Sequence, residues 1–595
     1  MFPTSAKEVE KLGWDYIDVI FFTGDAFVDH PSFGTACIAR YLQKFGYRVA
    51  VVPQPNWRDD LRDFKKLGTP RLYFAVNSGA MDSMVNHYTA SKRLRHDDAY
   101  TPDGRAGQRP DYAVTVYTKI LKDLFPGVPV IIGGIEASLR RVTHYDYWQD
   151  KLLPSILELS GADYLIYGMG EKPIVELAAC IAEGRFHDIL VQPQTGFICR
   201  EVPGGIKDTD RVLAPHEQCL QDKRAQAMNF KVIEEESNVI AARRIIQPLG
   251  NRFVVINPPY RPMTTQELDA VYDLPYTRKP HPRYKGKRIP AYDMICHSVT
   301  IHRGCFGGCA FCTISAHQGK QIVSRSKGSI LREVRAVTLM DDFHGHITDL
   351  GGPSANMYGL GGRDKSLCEK CRRATCLHPK VCPNLNTDLS ALTDLYQAAS
   401  HVQGVRKVTI GSGIRYDILQ YRDPDPKADK SHRSYARELI ANHVSGRLKV
   451  APEHTQPSVL DLMRKPGFEQ FEQFKKTFDK VNAEAGLRQQ LIPYFISSHP
   501  GCTPQDMALL AVITKKLNFH LEQVQDFTPT PMTLSTEIFY SGINPYTMQP
   551  VYVPRTDRDK QAQRMFFFWY DASLRRQIMA ELRRMGRADL ISKLF

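Results

Sequence analysis

The sequence predicts an α/β protein: a doubly wound parallel sheet, then a partial (β/α)6 barrel and a short helical C-terminal region. Over residues 1–195, short apolar runs end at glycines and lead into helical patterns. Over residues 289–545, about six apolar runs end in polar residues and again lead into helices. Strands that alternate with helices are typical of parallel sheets, because the helix carries the chain back to the edge where the next strand starts.

The first unit contains five strand candidates, with a helix predicted from about residue 35 to residue 45. The strands are predicted at residues 18–23, 48–53, 71–76, 128–132 and 163–167. Ligands of such a sheet bind at the carboxyl ends of its strands. We therefore expect an unknown ligand beside the polar residues that follow these strands. They are Asp25, Asp29, His30, Asn77, Ser78, Glu136 and Glu171.

The remaining chain divides into three parts by composition. Residues 196–288 are charged and rich in proline, and we expect a linking region packed between the two main units. The barrel core is predicted at 289–545, with a cysteine-rich insertion at 364–385 and a helical extension at 546–595. Its strands are predicted at 294–301, 347–350, 407–410, 448–451, 490–496 and 523–527. Aromatic residues crowd into 565–570, where we expect a surface that docks on the barrel.

Composition bounds the function. The chain has 595 residues and a formal charge of +14, which permits nucleic-acid binding without indicating a site. No run of eighteen or more apolar residues is present, so a membrane span is not expected. The N-terminus lacks an apolar signal segment, and we expect a cytoplasmic protein. In such a protein, thirteen cysteines indicate metal ligands and reduced thiols rather than disulfides.

The most informative motif is R-G-C-F-G-G-C-A-F-C, which places Cys305, Cys309 and Cys312 on one short loop. Three thiolates can hold three irons of a four-iron, four-sulfur (4Fe-4S) cluster and leave the fourth iron open. An open coordination position is what a substrate or cosubstrate needs at a metal site. A zinc loop is the weaker alternative, because structural zinc takes four ligands that usually come in paired knuckles.

A second set of cysteines lies in the predicted insertion, at Cys368, Cys371, Cys376 and Cys382. Four thiolates within so short a segment can hold a tetrahedral zinc ion or an auxiliary iron–sulfur cluster. The simpler alternative is four reduced cysteines in a loop. We favour a second metal site here, with the identity of the metal left open.

The three-cysteine loop resembles the motif of radical S-adenosylmethionine (SAM) enzymes. The resemblance implies that SAM chelates the open iron and is cleaved reductively to a 5′-deoxyadenosyl radical. It implies an electron donor of the flavodoxin or ferredoxin type. By the same resemblance, Phe311 lies against the adenine and the strand end at Gly351, Gly352 and Pro353 contacts the SAM amino group. The remaining candidate SAM contacts are Ser412, Arg415 and Glu453.

Nearly the whole chain resembles the YgiQ family of radical SAM proteins, whose activity is undefined. The matching segments are L-P-Y-T-R at 274–278, H-P-R-Y at 281–284, I-P-A-Y at 289–292, R-G-C-F-G-G-C-A-F-C-T-I at 303–314, H-Q-G-K at 317–320, S-R-S at 324–326, V-A-P-E-H-T at 450–455, S-S-H-P-G-C-T at 497–503, G-D-A-F-V-D-H-P-S-F-G at 24–34 and I-I-G-G-I-E-A-S-L-R-R at 131–141. The barrel half is also similar to radical SAM methylthiotransferases.

The first unit resembles the Rossmann-like domain that precedes the barrel in cobalamin-binding radical SAM proteins. The D-x-H-x-x-G signature for histidine ligation of cobalamin is not intact, because the chain has Asp29-His30-Pro31 and Gly34. On this ground we do not expect cobalamin.

These patterns favour a radical SAM enzyme acting on an unidentified substrate. One alternative is an RNA-modifying relative that resembles the methylthiotransferases, and the basic charge motivates it. Another is a non-catalytic iron–sulfur protein that carries electrons or acts as a sensor.

Overall fold

The computed structural model describes residues 1–595 and contains a nine-stranded sheet in its first half. Five neighbouring strands of this sheet are parallel. In spatial order they are Val49–Pro53, Val19–Thr23, Tyr73–Asn77, Val130–Ile132 and Tyr164–Ile166. The predicted mixed α/β fold with a large parallel sheet is therefore confirmed.

Both faces of the parallel strands are buried. In the strand Val19–Thr23, Val19 and Phe21 join one apolar cluster, whereas Ile20 and Phe22 join another. Alternate side chains of a strand point to opposite faces, so a continuous apolar run supplies both clusters. The main helices of this half are Gly34–Lys44, Ala113–Leu124 and Glu171–Ala182.

The sheet continues past residue 195. Strands Thr195–Cys199, Arg252–Ile256 and Ile245–Leu249 add antiparallel pairings, and Arg211–Val212 closes the edge. The helix Lys223–Asn238 reaches the second half of the chain instead. The Gln226 side-chain amide donates to Glu537 Oε2 at 3.0 Å, and Arg464 pairs with Glu234 at 2.7 Å. Residues 196–288 thus contact both halves.

Glu537 gives this contact a pH dependence that can be measured. Burial raises the pKa of its carboxyl to about 7, with the Gln226 bond opposing this effect. The folded protein therefore holds this proton more tightly than the unfolded chain does. Stability contributed by the group is present below the unfolded pKa of 4.5 and is lost as the pH rises through about 7.

We expect Glu537→Gln to flatten the pH profile of the unfolding free energy between about pH 4.5 and 7. The difference should approach about 3 kcal/mol across the window, because one bound proton changes the unfolding free energy by about 1.4 kcal/mol for each step of one in pH. Denaturant unfolding at several pH values measures it. Glu201→Gln, at an exposed position, should keep the wild-type slope, and a Glu537→Gln slope equal to wild type would contradict the assignment.

The second half contains short parallel strands whose pairings follow chain order. Ser298–Thr300 pairs with Asp349–Gly351, and His346–Ile347 pairs with Lys407–Val408. Arg447–Glu453, Gln490–Ser497 and Gln523–Asp526 form a three-stranded parallel sheet. Its main helices are Lys327–Thr338, Ser390–Ser400, Pro426–Asn442, Phe468–Glu484 and Pro504–Lys516. The six-stranded barrel and the predicted domain bounds stay predictions.

The structure bears on two local predictions, the strand at 294–301 and the aromatic segment at 565–570. The strand predicted at 294–301 is shorter, because the helix Pro290–Ile295 occupies its beginning and the strand is Ser298–Thr300. Proline fits the first helical position, which explains the early helix. In the C-terminal region Phe566 and Phe567 are fully buried in the core of the second half. These two rings therefore pack on the second half, which agrees with the predicted docking surface.

No helix in the structure combines the length and apolar character that a bilayer crossing requires.

Candidate functional site

The loop that carries Cys305, Cys309 and Cys312 follows the short strand His302–Arg303. Backbone hydrogen bonds fasten it to distant segments. The amides of Cys305 and Ala310 donate to the carbonyls of Gly319 and Met463, at 3.1 and 3.0 Å. The Ala310 carbonyl accepts from the Ser535 amide at 2.9 Å. The loop is therefore held on several sides and does not depend on a metal for all of its contacts.

The three thiols are partly buried and close enough to affect one another. Burial raises the pKa of Cys312 to about 12, and the neighbouring Cys309 adds to this effect. Burial also raises the pKa of Cys305, again with Cys309 adding to it. Thiolates gathered in this way repel one another, and bound iron would compensate that repulsion. The donor set thus fits three irons of a 4Fe-4S cluster.

The insertion that contains the second cysteine set packs on this loop. Gly308 has φ +57°, and a Cβ there would lie 2.2 Å from the Ala374 carbonyl oxygen. The amide of Cys376 donates to the Phe306 carbonyl at 3.0 Å. Only glycine at position 308 permits this close approach of the two backbones.

A buried group of charges surrounds the loop. Arg415 binds Asp417 through two hydrogen bonds of 2.9 and 2.6 Å, and its Nη1 lies 3.4 Å from Cys309 Sγ. Glu453 lies 3.7 Å from Lys465, and burial raises the pKa of its carboxyl while Lys465 opposes this effect. Arg415 thus faces the sulfur of Cys309 as well as the carboxylate of Asp417, and its predicted contact with SAM stays a prediction.

Glu453 also has a strained backbone. Its φ is +67°, and the register of its strand shifts between Val450 and Glu453. A non-glycine residue in the left-handed region costs about 1–2 kcal/mol, and such strain is found at functional sites. The predicted role of Glu453 in binding SAM is untested, but its position at the carboxyl end of the strand Arg447–Glu453 agrees with that prediction.

The predicted Gly351-Gly352-Pro353 turn has a packing requirement that the sequence did not reveal. A Cβ on Gly351 would lie 2.2 Å from Ser412 Oγ, and one on Gly352 would lie 2.5 Å from the His302 ring. Ser412 in turn donates its hydroxyl and its amide to Asp349. Burial raises the pKa of Asp349, and the Ser412 hydroxyl opposes this effect.

His302 and Asp349 were not predicted as site residues. His302 is fully buried, and both of its ring nitrogens lack a hydrogen-bond partner. Burial lowers its pKa to about 3, so the ring is neutral at physiological pH. Its place directly after the strand predicted at 294–301 and two residues before Gly304 was the available signal, because polar residues that follow a barrel strand lie at the site end.

Phe311 lies edge-on to His499, with the two ring centroids 6.2 Å apart. His499 is itself fixed by a 2.6 Å hydrogen bond to Ser535 Oγ. The aromatic ring is thereby held beside the cysteine loop, and its contact with adenine stays a prediction.

The second cysteine set is also brought together. Burial raises the pKa of Cys376 to about 11; Lys320 opposes this effect and the other three cysteines add to it. The Lys320 ammonium lies 3.7 Å from Cys371 Sγ. No group of three or more histidine, cysteine or acidic side chains is gathered around a single ion position anywhere in the chain.

Two cavities lie beside the segments that flank the cysteine loop, and neither is lined by Cys305, Cys309 or Cys312. The larger, of about 480 Å³, lies between the carboxyl edge of the first sheet and the strand ends of the second half. We call it the interdomain cavity; Asn77, Gly133, Gly168, His302, Asp349 and Gly352 line it. The smaller, of about 180 Å³, is the lateral cavity, lined by Arg141, Tyr167, Ser237, Arg303, His317 and Lys320. They share a wall that includes Gly168, Arg303 and His317.

Two family profiles match parts of the chain. The profile described as Radical SAM N-terminal matches residues 1–298, and a domain of unknown function, DUF3362, matches residues 522–593. A UPF0313 protein of Bacteroides thetaiotaomicron is 62% identical over 100% of this chain and 98% of its own length. The chain belongs to the UPF0313 family. A UPF0313 protein of Geobacter sulfurreducens is 47% identical, over 100% of this chain and 96% of its own length.

These relatives confirm the resemblance to the YgiQ family. Among solved structures, the UPF0313 chain is similar to the radical SAM methyltransferase TsrM from Kitasatospora setae, with cobalamin and a 4Fe-4S cluster bound. The TM-score is 0.46 and the identity 15%, over 87% of this chain and 77% of TsrM. The cobalamin-dependent radical enzyme OxsB, with aqua-cobalamin bound, gives a TM-score of 0.48 and 9% identity over 88% and 55%.

The prediction that cobalamin is not expected is wrong on this comparison, since both neighbours are described with cobalamin bound. The missing D-x-H-x-x-G signature reports only on histidine ligation of the cobalt and leaves other modes of binding open. In this UPF0313 chain His30 is fully buried and its Nδ1 accepts from the Ser32 amide at 3.1 Å. The absence of the D-x-H-x-x-G motif therefore could not decide whether cobalamin binds.

Proposed function

We propose that this protein is a radical SAM enzyme that cleaves SAM reductively to act on an unidentified substrate. The observation that carries the proposal is the single short loop that bears Cys305, Cys309 and Cys312, with Cys309 and Cys312 lining a small cavity of about 30 Å³. When bound, a 4Fe-4S cluster on these thiolates supplies the electron and an open iron for SAM. Membership in a family that carries the radical SAM profile supports the same reading.

The residues around the loop have defined tasks under this proposal. Arg415 lies near the sulfur of Cys309 and would stabilise its negative charge. Gly351, Gly352 and Ser412 would present polar groups to the SAM amino acid portion, with Asp349 fixing Ser412 in place. The interdomain cavity lies at the strand ends, which is where a barrel of this type places its site. The six-stranded partial barrel at 289–545 belongs to this proposal.

The experiment is anaerobic reconstitution with iron and sulfide, followed by SAM and dithionite. We expect about four iron and four sulfide from the first site and time-dependent formation of 5′-deoxyadenosine. An absence of deoxyadenosine from protein that carries its full iron would contradict radical SAM chemistry. It would favour the non-catalytic iron–sulfur alternative.

The cofactor of the interdomain cavity forms a separate part of the proposal. Six glycines line its first-sheet side, so a broad ligand can approach the backbone closely: Gly34, Gly79, Gly133, Gly134, Gly168 and Gly170. His30 Nδ1 already accepts a hydrogen bond from the Ser32 amide, so this atom is not available as a ligand to cobalt. We propose the cavity as the place to seek a corrin, and visible absorbance after reconstitution with cobalamin and gel filtration tests it.

We propose that Cys368, Cys371, Cys376 and Cys382 hold a second metal centre. Zinc–sulfur bonds of about 2.3 Å place thiolates on one zinc within roughly 4 Å of one another. An auxiliary iron–sulfur cluster needs a wider spacing of its thiolates, and both centres stay open for this set. The nearby Lys320 ammonium would favour thiolates at this set.

Cys371→Ala should lower the metal content of purified protein, and a loss of about four iron per chain would identify an iron–sulfur cluster. A loss of about one zinc would select the other alternative. Elemental analysis after anaerobic purification measures both, and Cys199→Ala, at another partly buried cysteine, should match wild type. If Cys371→Ala contains as much iron and zinc as wild type, the proposal of a second metal centre is wrong, and the four residues are reduced cysteines in a loop.

A further inference from the structure

The lateral cavity carries an excess of positive charge. Six cationic side chains and one carboxylate line it. The cations are Arg141, Lys172, Arg243, Arg261, Arg303 and Lys320, and the carboxylate is Glu236. Three of these cations have carboxylate partners, because Lys172, Arg261 and Arg303 pair with Glu267, Glu369 and Glu171. The excess positive charge therefore lies with Arg141, Arg243 and Lys320.

Arg141 is the least compensated of them. Only 3% of the residue is exposed, yet no carboxylate pairs with it. Its guanidinium donates to the Ser138 carbonyl at 2.7 Å and to Ser237 Oγ at 3.0 Å, and it lies 4.9 Å from the Tyr167 ring centroid. These neutral partners satisfy N–H groups but supply no negative charge. Burial lowers its pKa to about 10.

A buried guanidinium without a counter-ion is costly, and proteins ordinarily pair such groups. The neighbouring Arg140 shows the usual solution in this chain, because it is equally buried and pairs with Asp82. His317 does not compensate Arg141 either, because an imidazole ring is neutral or cationic; burial and then Arg141 itself lower its pKa to about 4. No carboxylate of the chain pairs with Arg141, so a bound anion would supply the missing negative charge.

We propose that the lateral cavity binds an anionic oxygen group of the substrate, a phosphate or a carboxylate, through Arg141. The guanidinium fork suits two oxygens of either group. The wall shared with the interdomain cavity would let the rest of such a molecule reach the strand ends that hold the candidate SAM contacts. Its identification as a substrate site rests on the proposed function, whereas anion binding does not.

The test measures anion binding directly in the anaerobically purified full-length protein. Thermal unfolding is followed with sodium phosphate, sodium acetate and sodium chloride at matched ionic strength, and Kd is obtained from the ligand dependence of Tm. We expect saturable stabilisation by phosphate or acetate beyond that by chloride, and the stronger of the two identifies the group. Arg141→Gln should weaken it at least tenfold.

Two further variants make the outcome specific. Arg141→Lys keeps the charge and should bind with intermediate affinity. Arg261→Gln removes an exposed cation of the same cavity that already pairs with Glu369, and it should bind within about twofold of wild type. Without added anion, Arg141→Gln should unfold at a temperature no lower than wild type, because it removes an uncompensated buried charge.

The proposal is overturned if neither phosphate nor acetate stabilises wild type more than chloride does. Equal anion dependence in wild type and Arg141→Gln would overturn it as well, since binding would then be non-specific. An Arg141→Gln variant that fails to fold, or unfolds well below wild type without anion, would assign Arg141 a structural role instead. Deoxyadenosine formation is measured separately, so loss of this inference and loss of the proposed reaction can be told apart.

Discussion

Replacing Cys309 by alanine should abolish 5′-deoxyadenosine formation and lower the iron content by about four per chain. Cys309 is the middle cysteine of the loop, and it influences both Cys305 and Cys312. Two remaining thiolates would leave two irons without protein ligands, and the cluster should not survive purification. The measurement is anaerobic iron and sulfide analysis together with chromatographic detection of deoxyadenosine.

The matched control is Cys199→Ala, which removes another partly buried thiol on a strand of the first sheet. It should retain wild-type iron content and wild-type deoxyadenosine formation. Deoxyadenosine formed at the wild-type rate by Cys309→Ala would show that the site has been assigned to the wrong residues.

Gly308→Ala should also remove most of the cluster, although it changes no ligand. A methyl group there would meet the Ala374 carbonyl oxygen at 2.2 Å and Thr375 Cβ at 2.8 Å. The first obstacle is a backbone atom of the insertion and the second is a Cβ fixed directly to that backbone, so the loop and the insertion must separate. We expect a loss of about 2–4 kcal/mol in unfolding free energy, from positive-φ strain and overpacking together.

Gly286→Ala separates the two causes. Gly286 has φ +81°, but a Cβ there would meet nothing within 4 Å. This control should lose only about 1 kcal/mol of unfolding free energy, from positive-φ strain alone, and should keep its iron. Denaturant unfolding and iron analysis of both variants measure the difference, and equal losses in the two would mean that contact with the insertion does not hold the loop.

The sequence placed the five parallel strands of the first sheet closely, because apolar runs such as Val19–Thr23 bury both faces and end at glycine or proline. It failed where a local signal competed. Pro290 starts a helix in a segment whose apolar residues suggested a strand, and residues beyond 195 add strands that their charge did not reveal. The sequence also could not decide whether cobalamin binds, since the missing D-x-H-x-x-G motif concerns only ligation of the cobalt by histidine.

By itself the sequence determined the family and proposed the three cluster ligands, because the spacing of Cys305, Cys309 and Cys312 is a property of one short segment. Only the tertiary structure decided which distant groups surround that loop. The contacts of Gly308 with Ala374 and of Gly352 with His302 join residues far apart in the chain, as does the position of Arg415 beside Cys309. The isolation of Arg141 from every carboxylate likewise depends on packing, which no local spacing encodes.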